Sequence, residues 1–556
     1  MTGRLAIYNP GGKPGLGNNV FGADIANFQL YRALVVQAGF DRVDFLTHAT
    51  LTAEDMTRAL DVPVGATQIG TANILATGVA ASAGCVLRGG PKLEELAWLR
   101  RQTTGDRGYS LVGLVHTIAP PAMRHDMAMA SVAPVQPWDA LVCTSPAVQS
   151  ALGTMFDEWG DYLSSRFGGV VRVRPALPLI PLGVDGARFA GHADRPEARG
   201  RVRGALGVAA DELLVIWVGR LSFFEKAFPQ PMLRAVAEAA AATGVRVHFA
   251  MAGWFPNGEN GARMYGEAAR SYAPDTPFHV VDGNDSTGLA DLWAGADIFL
   301  SLVDNIQETF GITPLEAMAA GLPVVVSDWD GYRYTVRDGS EGFLIRTLGG
   351  PSDALPSEFT LSHATGQRSY QQYVGVVAQH TAVDVAAAAN ALTRLIQDPA
   401  LRRRMGRAGR ERIRATFDWS VVAPQYRALA DALAAIRVDE AGAASGPRRR
   451  PVKGDPMRDF AGFATDVLGL DMTLSLRAGC GLADLDRAAA VELDRFAGNW
   501  RGTAQEAAAV VILLRDGPAT AREILLTFAT PRRRAIQLSL LWMAKLGILE
   551  WSKQSG

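Results

Sequence analysis

Apolar and polar positions fall in blocks along this chain, and the apolar blocks have the length and β-branched content of buried strands. Residues 298–303 (IFLSLV) form one such run, DNIQETFGI follows as a polar loop, and a helix is predicted from Thr313 with Pro314 in its first position. Glu316 stands three residues after Thr313, the spacing of a capping box in which the hydroxyl serves the helix's free N–H groups and the carboxylate reaches back. Gly321 and Pro323 end that helix, and 323–328 (PVVVSD) read as the next buried strand. The unit is strand, loop, helix, strand. Similar apolar runs occupy 5–9, 109–116, where YSLVGLVH ends in His116, and 213–220, where LLVIWVGR ends in Gly219 and Arg220.

A parallel sheet binds ligands at the carboxyl ends of its strands, where free N–H groups suit phosphates and sugar hydroxyls. Residues placed at those ends are therefore the candidate chemistry. Glu308 lies in the loop after 298–303, and Arg220 ends the run 213–220 with Lys226 following it. A guanidinium and an ammonium fixed at a strand end suit a ligand with concentrated negative charge. Each group also has a plain alternative: Glu316 as a capping partner, Glu308 as a solvated loop charge, Arg220 and Lys226 as surface cations, His116 as a hydrogen-bonded core histidine. After 5–9, the segment NPGGKPGLGNNVFGAD supplies glycines for close approach to a ligand. The order Gly15, Gly17, Val20 misses the third glycine of a dinucleotide fingerprint, which argues against NAD.

The string ETFGITPLEAMAAGLPVVVSD resembles the retaining, nucleotide-sugar-dependent glycosyltransferases of family 4, which have two glutamates with seven residues between them and an Ala-Gly-x-Pro-Val-Val continuation. Further matches follow in the order that family requires. VGRLSFFEK resembles its Val-Gly-Arg-Leu…Glu-Lys motif, IPLGVDGARF its interdomain segment, WDALVCTSPAVQSAL a strand and helix of its first domain, and residues 392–429 its closing helices, with FDW opening the helix that returns to the first domain. The resemblance implies an α/β GT-B fold, two Rossmann-like domains facing across a cleft, with an acceptor domain at 1–187 and a donor domain at 188–437.

It also implies roles. Glu308 would contact the donor sugar, Glu316 the ribose, Arg220 and Lys226 the diphosphate, and the backbone of Phe310 and Gly311, with Ile312 and Gly219, the sugar or phosphate. His116 would lie near the donor sugar, and Gly15, Gly17 and Asn18 would border the acceptor and the donor phosphate. The implied reaction transfers a sugar from a UDP- or GDP-linked donor to a saccharide, lipid-linked or protein acceptor with retention of configuration, and needs no cofactor. A rival of another class is a non-catalytic regulator that keeps the nucleotide-sugar pocket and acts through its carboxyl-terminal region. An epimerase of the same fold is a second rival, whereas a phosphorylase would need a pyridoxal phosphate lysine for which no signature is present.

Composition changes this picture little. With 556 residues, 48% apolar, 20% charged and a net charge of −1, the chain can bury several cores and has no global bias toward nucleic acid. Cys85, Cys143 and Cys480 are odd in number and scattered, which predicts neither a disulfide framework nor a zinc cluster and fits a reducing cytoplasm. No metal-ligand spacing occurs among the eight histidines. The first eight residues lack a signal-peptide pattern and no apolar run is long enough to span a bilayer, leaving a cytoplasmic protein open to peripheral attachment at a membrane's inner face.

Two regions depart from the family's pattern. Residues 348–385 insert polar and aromatic residues that would either line the pocket or form a surface excursion. A linker at 438–456, rich in Gly, Pro, Ala and charge, precedes a domain at 457–556. Helices are predicted there at 507–515, 520–528 and 530–546, the last capped by Thr530, with ILEW as a short wing. This resembles a winged-helix module in arrangement alone. Arg532, Arg533 and Arg534 would sit where such modules meet DNA, but the cluster is short, so protein contact or dimerisation is the favoured reading.

Overall fold

The computed structural model describes residues 3–11, 22–63, 67–169, 174–351, 356–439 and 446–552. The chain divides into two compact units, Met1–Arg448 and Arg449–Gly556. The first unit holds two six-stranded sheets. One comprises β1 (Arg4–Tyr8), β2 (Arg42–Thr47), β3 (Gln68–Asn73), β4 (Cys85–Arg88), β5 (Ser110–Leu114) and β6 (Ala140–Val142), in the spatial order β3-β2-β1-β4-β5-β6. The other comprises β7 (Leu213–Val218), β8 (Val247–Gly253), β9 (Phe278–Asp282), β10 (Ile298–Ser301), β11 (Val324–Ser327) and β12 (Gly342–Ile345), in the order β12-β11-β10-β7-β8-β9. All pairings in both sheets are parallel, with Phe299 opposite Val324 and Ile298 opposite Val215 in the second.

Helices on both faces explain why the central strands read as unbroken apolar runs instead of alternating ones. Val324, Val325 and Val326 are fully buried, as are Leu214, Val215 and Ile216. In each sheet the strand order reverses once, between β1 and β4 and between β7 and β10, and loops leaving strands on either side of such a reversal splay apart and open a crevice. β7 and β10 carry the sequence-predicted Arg220 and Glu308 loops. Topology alone thus brings the two together.

The two sheets are joined twice at one place. The backbone N–H of Val184 donates to Phe417 (2.8 Å) and that of Trp419 donates back to Val184 (3.2 Å). The helix Trp419–Asp439 then lays Trp419, Val422, Tyr426 and Leu433 into the core of the first sheet, as the FDW resemblance implies.

The 348–385 insertion is folded. A two-stranded antiparallel ribbon, β13 (Thr347–Leu348) with β14 (Ala382–Val383), closes its base, and it carries helices Glu358–Ala364 and Tyr370–Gln379. Tyr373 and Val374 pack with Ala119, from the loop after β5, and Ile306, from the loop after β10. The excursion therefore covers the loops that border the crevice.

The second unit packs helices Ala504–Leu514, Ala521–Leu526 and Arg533–Lys545 around Val510, Ile524, Ile536 and Leu540. A three-stranded antiparallel sheet accompanies them: β15 (Thr473–Leu476), β16 (Ala519–Thr520) and β17 (Leu549–Ser552), with β15 central. β17 covers Leu549, Glu550 and Trp551 of the predicted ILEW segment, whereas β15 was not predicted. Thr503 with Glu506 and Thr520 with Glu523 form true capping boxes. The predicted Thr530 cap is corrected: residues Thr530–Arg532 form a 3-10 turn, and the α-helix starts at Arg533 without a side-chain cap. All three members of the arginine triplet are engaged within this unit: Arg532 at 2.6 Å from Glu506, Arg533 donating to the Phe528 carbonyl and Arg534 at 3.6 Å from Asp455. Among the described residues no helix is long and apolar enough to cross a membrane.

Candidate functional site

The loop after β10 is held by buried polar side chains. Asn305 is fully buried and its amide donates to the Phe224 carbonyl, while Asp304 accepts from the backbone N–H of Phe228 at 3.4 Å. These contacts fasten the loop after β7 to the loop after β10, on either side of the strand-order reversal. Lys226 lies between the two anchor points, and its Nζ comes within 3.0 Å of Glu308 Oε2. Arg220 pairs with Glu225 at 2.7 Å, and both side chains are about nine-tenths buried. Its charge is also felt by Glu308 and by Tyr370 of the insertion. Arg220, Lys226 and Glu308 are thus one cluster.

Burial alone would raise the pKa of Glu308, but Lys226 and the backbone N–H groups of Phe310 and Thr309 outweigh it and hold the carboxyl below its ordinary value. At neutral pH it is ionised, with hydrogen-bond capacity left for vicinal hydroxyls.

The predicted capping box does not form. The helix runs Ile312–Ala320, Gly311 is its N-cap at φ 84°, and no side chain caps it. The reason lies in the loop after β11. Tyr332 is buried there, 3.0 Å from Ser301 Oγ and also hydrogen-bonded to Thr313, which takes the hydroxyl the cap would need. Gly311 is required by the same contact, since a Cβ on it would fall 1.9 Å from the Tyr332 ring. The helix starts two residues earlier than predicted and Pro314 is its third residue, not its first. Glu316, freed from capping, makes no hydrogen bond to any described residue. Burial pushes its carboxyl up to about 7 against the opposing pull of Arg188.

The first sheet contributes the loop after β5. The His116 carbonyl accepts from Thr309 Oγ1 at 2.7 Å, so this loop reaches the residue next to Glu308. The ring points elsewhere: Nε2 is 2.9 Å from Asn27 Oδ1, and burial pushes the imidazole down to about 4, so it is neutral at physiological pH. Gly219 ends β7 with its carbonyl so close to Gly253 that a Cβ there would fall 1.8 Å from the oxygen. Phe310 is buried and Ile312 half-buried at the start of the helix. Gly15, Gly17 and Asn18 lie outside the described residues.

Four contributors were not evident in the sequence. Asp304 and Asn305 read as solvated loop residues, and their place directly after a buried strand is the signal that marks them. Tyr370 donates to Gln307 at 2.9 Å. Asp330 adopts φ 39°, accepts from Ser145 Oγ at 3.0 Å, and is pushed up to about 7 by burial, with Ser145 lowering and Glu308 raising it. Ser145 also caps the first-domain helix Pro146–Phe167, so this contact ties the two domains at the crevice.

Comparison with known proteins agrees with this geometry. Residues 199–348 match the family model described as "Glycosyl transferases group 1". The chain is 30% identical over 258 residues to a D-inositol 3-phosphate glycosyltransferase of Actinosynnema mirum, covering 45% of this chain and 57% of that protein. It is 34% identical over 171 residues to a phosphatidyl-myo-inositol mannosyltransferase of Mycobacterium leprae, covering 30% and 36%. The chain thus spans little more than half the length of these relatives at most. A crystal structure of a glycosyltransferase from Rickettsia africae superposes with a TM-score of 0.51 at 12% identity, covering 79% of this chain and 99% of that one. The chain therefore has the GT-B fold, and residues 199–348 within it match the glycosyl transferases group 1 model.

Proposed function

We propose that this chain transfers a sugar from a nucleoside-diphosphate sugar, UDP- or GDP-linked, to a hydroxyl-bearing acceptor with retention of anomeric configuration. The observation that carries this reading is the cluster of Arg220, Lys226 and Glu308 at the strand-order reversal of the second sheet: two cations where a diphosphate leaves, beside a carboxylate kept ionised. Glu308 orients the donor sugar through its vicinal hydroxyls, Glu316 takes the ribose hydroxyls, and the backbone from Phe310 to Ile312 faces the sugar or phosphate. The acceptor attacks on the face that the diphosphate leaves, and the leaving phosphate oxygen takes its proton. The relatives act on inositol-containing substrates, as their names state, which supports a reading with a saccharide or lipid-linked acceptor over one with a protein acceptor. The second unit, with all three of its clustered arginines engaged internally, suits contact with protein better than with DNA.

The test is calorimetric titration with UDP, GDP and ADP in chelator, comparing wild type with Arg220→Lys. That variant keeps the Glu225 ion pair possible, so lost affinity reports the guanidinium and not collapse of the loop. Saturable binding of one nucleotide, weakened by the substitution, is the expected result. Binding of none would overturn the reading.

A further inference from the structure

Beside the Glu308 cluster lies a groove of about 570 Å³ that enters the crevice between the two domains. One wall is the first-domain helix Pro146–Phe167, which presents Val148, Ala151 and Met155 at the three-to-four-residue spacing of a single helical face. The opposite wall is apolar too, built from Ile306, Trp329 and the insertion's Tyr373. A free saccharide would leave such walls in contact with hydroxyls they cannot satisfy. An alkyl or aryl body matches them. The polar groups are few: Arg124, Thr154, Glu158 and Arg333 at exposed positions, and Asp330.

Asp330 is the group aimed at chemistry. It holds a left-handed backbone conformation that carries strain for any residue with a side chain, a condition that persists only where the surroundings enforce it. Oδ1 is committed to Ser145, and Oδ2 has no hydrogen-bond partner among the described residues. Its charge and that of Glu308 interact, so a hydroxyl held at Asp330 stands next to the proposed sugar site.

We propose that this groove seats the apolar body of an amphipathic acceptor, an alkyl or aryl glycoside or a lipid-linked sugar, while Asp330 holds the hydroxyl to be glycosylated. This rests on the transferase reading above and narrows its acceptor class. In the reaction the acceptor oxygen bonds to the anomeric carbon, the bond from that carbon to the diphosphate breaks, and the acceptor proton leaves with a phosphate oxygen. Asp330 only accepts a hydrogen bond.

The experiment uses the full chain saturated with the nucleoside diphosphate it binds, titrated with methyl and n-octyl glycosides of glucose and of mannose below their micellar concentrations. At least one octyl glycoside should bind about tenfold or more tightly than its methyl counterpart. Ala151→Trp, at an exposed position that fills the groove, should bring the pair to within about twofold while nucleotide affinity holds. Met155→Arg serves as a second blocking variant if the first loses stability. Asp330→Asn should weaken methyl and octyl forms alike and keep their ratio. Nucleotide binding with no octyl preference overturns the groove and leaves the transferase reading standing. An octyl preference that survives both blocking variants overturns it as well. Octyl binding without any nucleotide binding overturns the acceptor role together with the transferase reading.

Discussion

Glu308 and Glu316 sit eight positions apart, one in the loop after β10 and one in the helix that loop becomes, yet their surroundings push their charges in opposite directions. Glu308 has Lys226 at 3.0 Å and two backbone N–H groups, and stays ionised. Glu316 has no hydrogen bond among the described residues, and burial lifts it to about 7. Two carboxylates held apart in pKa on one scaffold do different work. The first is charged at neutral pH and pre-organised, as the proposed role of orienting a sugar requires. The second is neutral or charged according to pH and to what binds, suited to gaining its partner only when a ligand arrives. A motif of two glutamates is therefore not a pair of equivalent groups.

The largest test of this contrast acts on the residue that sets it. Gly311→Ala puts a side chain on a left-handed residue and into the Tyr332 ring. Backbone strain and overpacking together should cost about 3 kcal/mol in denaturant unfolding. A variant as stable as wild type would mean that the turn can move, and with it the separation of the two carboxylates. Next comes Glu308→Gln, which preserves shape and removes the charge. It should lower kcat/KM by about 10- to 100-fold, the weight of a charge-assisted hydrogen bond, with nucleoside diphosphate affinity changed far less. Equal losses in both would place Glu308 on the diphosphate and not on the sugar.

Those variants also show where sequence reading succeeds and stops. The strands at 213–220, 298–303 and 323–328 were legible because burial on both faces of a parallel sheet writes a continuous apolar run, and they appear as β7, β10 and β11. The Arg220, Lys226 and Glu308 cluster was legible as residues following those strands. The helix start was not. The segment reads as a capping box of Thr313 with Glu316, and that local signal is overridden by Tyr332, whose contact with Thr313 spans nineteen residues. Asp330 and Tyr370 were illegible for the same reason: they reach Ser145 and Gln307 through tertiary contacts that no local period encodes.

The pH dependence of Glu316 is a smaller effect with a definite sign. Its carboxyl rises from 4.5 to about 7 on folding, so the native state holds the proton more tightly than the unfolded chain. The stability this contributes is complete below about pH 4.5 and is lost as pH rises through about 7. Glu316 is partly exposed, so solvent screening reduces the contribution to about 1–2 kcal/mol. Glu316→Gln should flatten unfolding free energy between about pH 5 and pH 8 relative to wild type. Nucleotide affinity in wild type should rise over the same range, as the ionised form becomes available to accept the ribose hydroxyls. Unfolding curves with the same pH slope for both proteins would place the carboxyl in water and remove the contrast with Glu308.

The smallest test separates the two helix starts directly. Thr313→Val keeps the β-branched shape and deletes the hydroxyl. If Thr313 capped the helix, the loss would fall on the helix terminus and would couple to Glu316, its partner in the box. In the observed arrangement the hydroxyl serves Tyr332, and its removal should cost about 1 kcal/mol, the usual net value of a hydrogen bond. The double variant decides the matter. Thr313→Val with Glu316→Gln should give additive losses, because the two side chains share no contact, whereas Thr313→Val with Tyr332→Phe should cost less than the sum, because both changes remove the same bond. Non-additivity between Thr313 and Glu316 would restore the capping box and return Glu316 to a structural role.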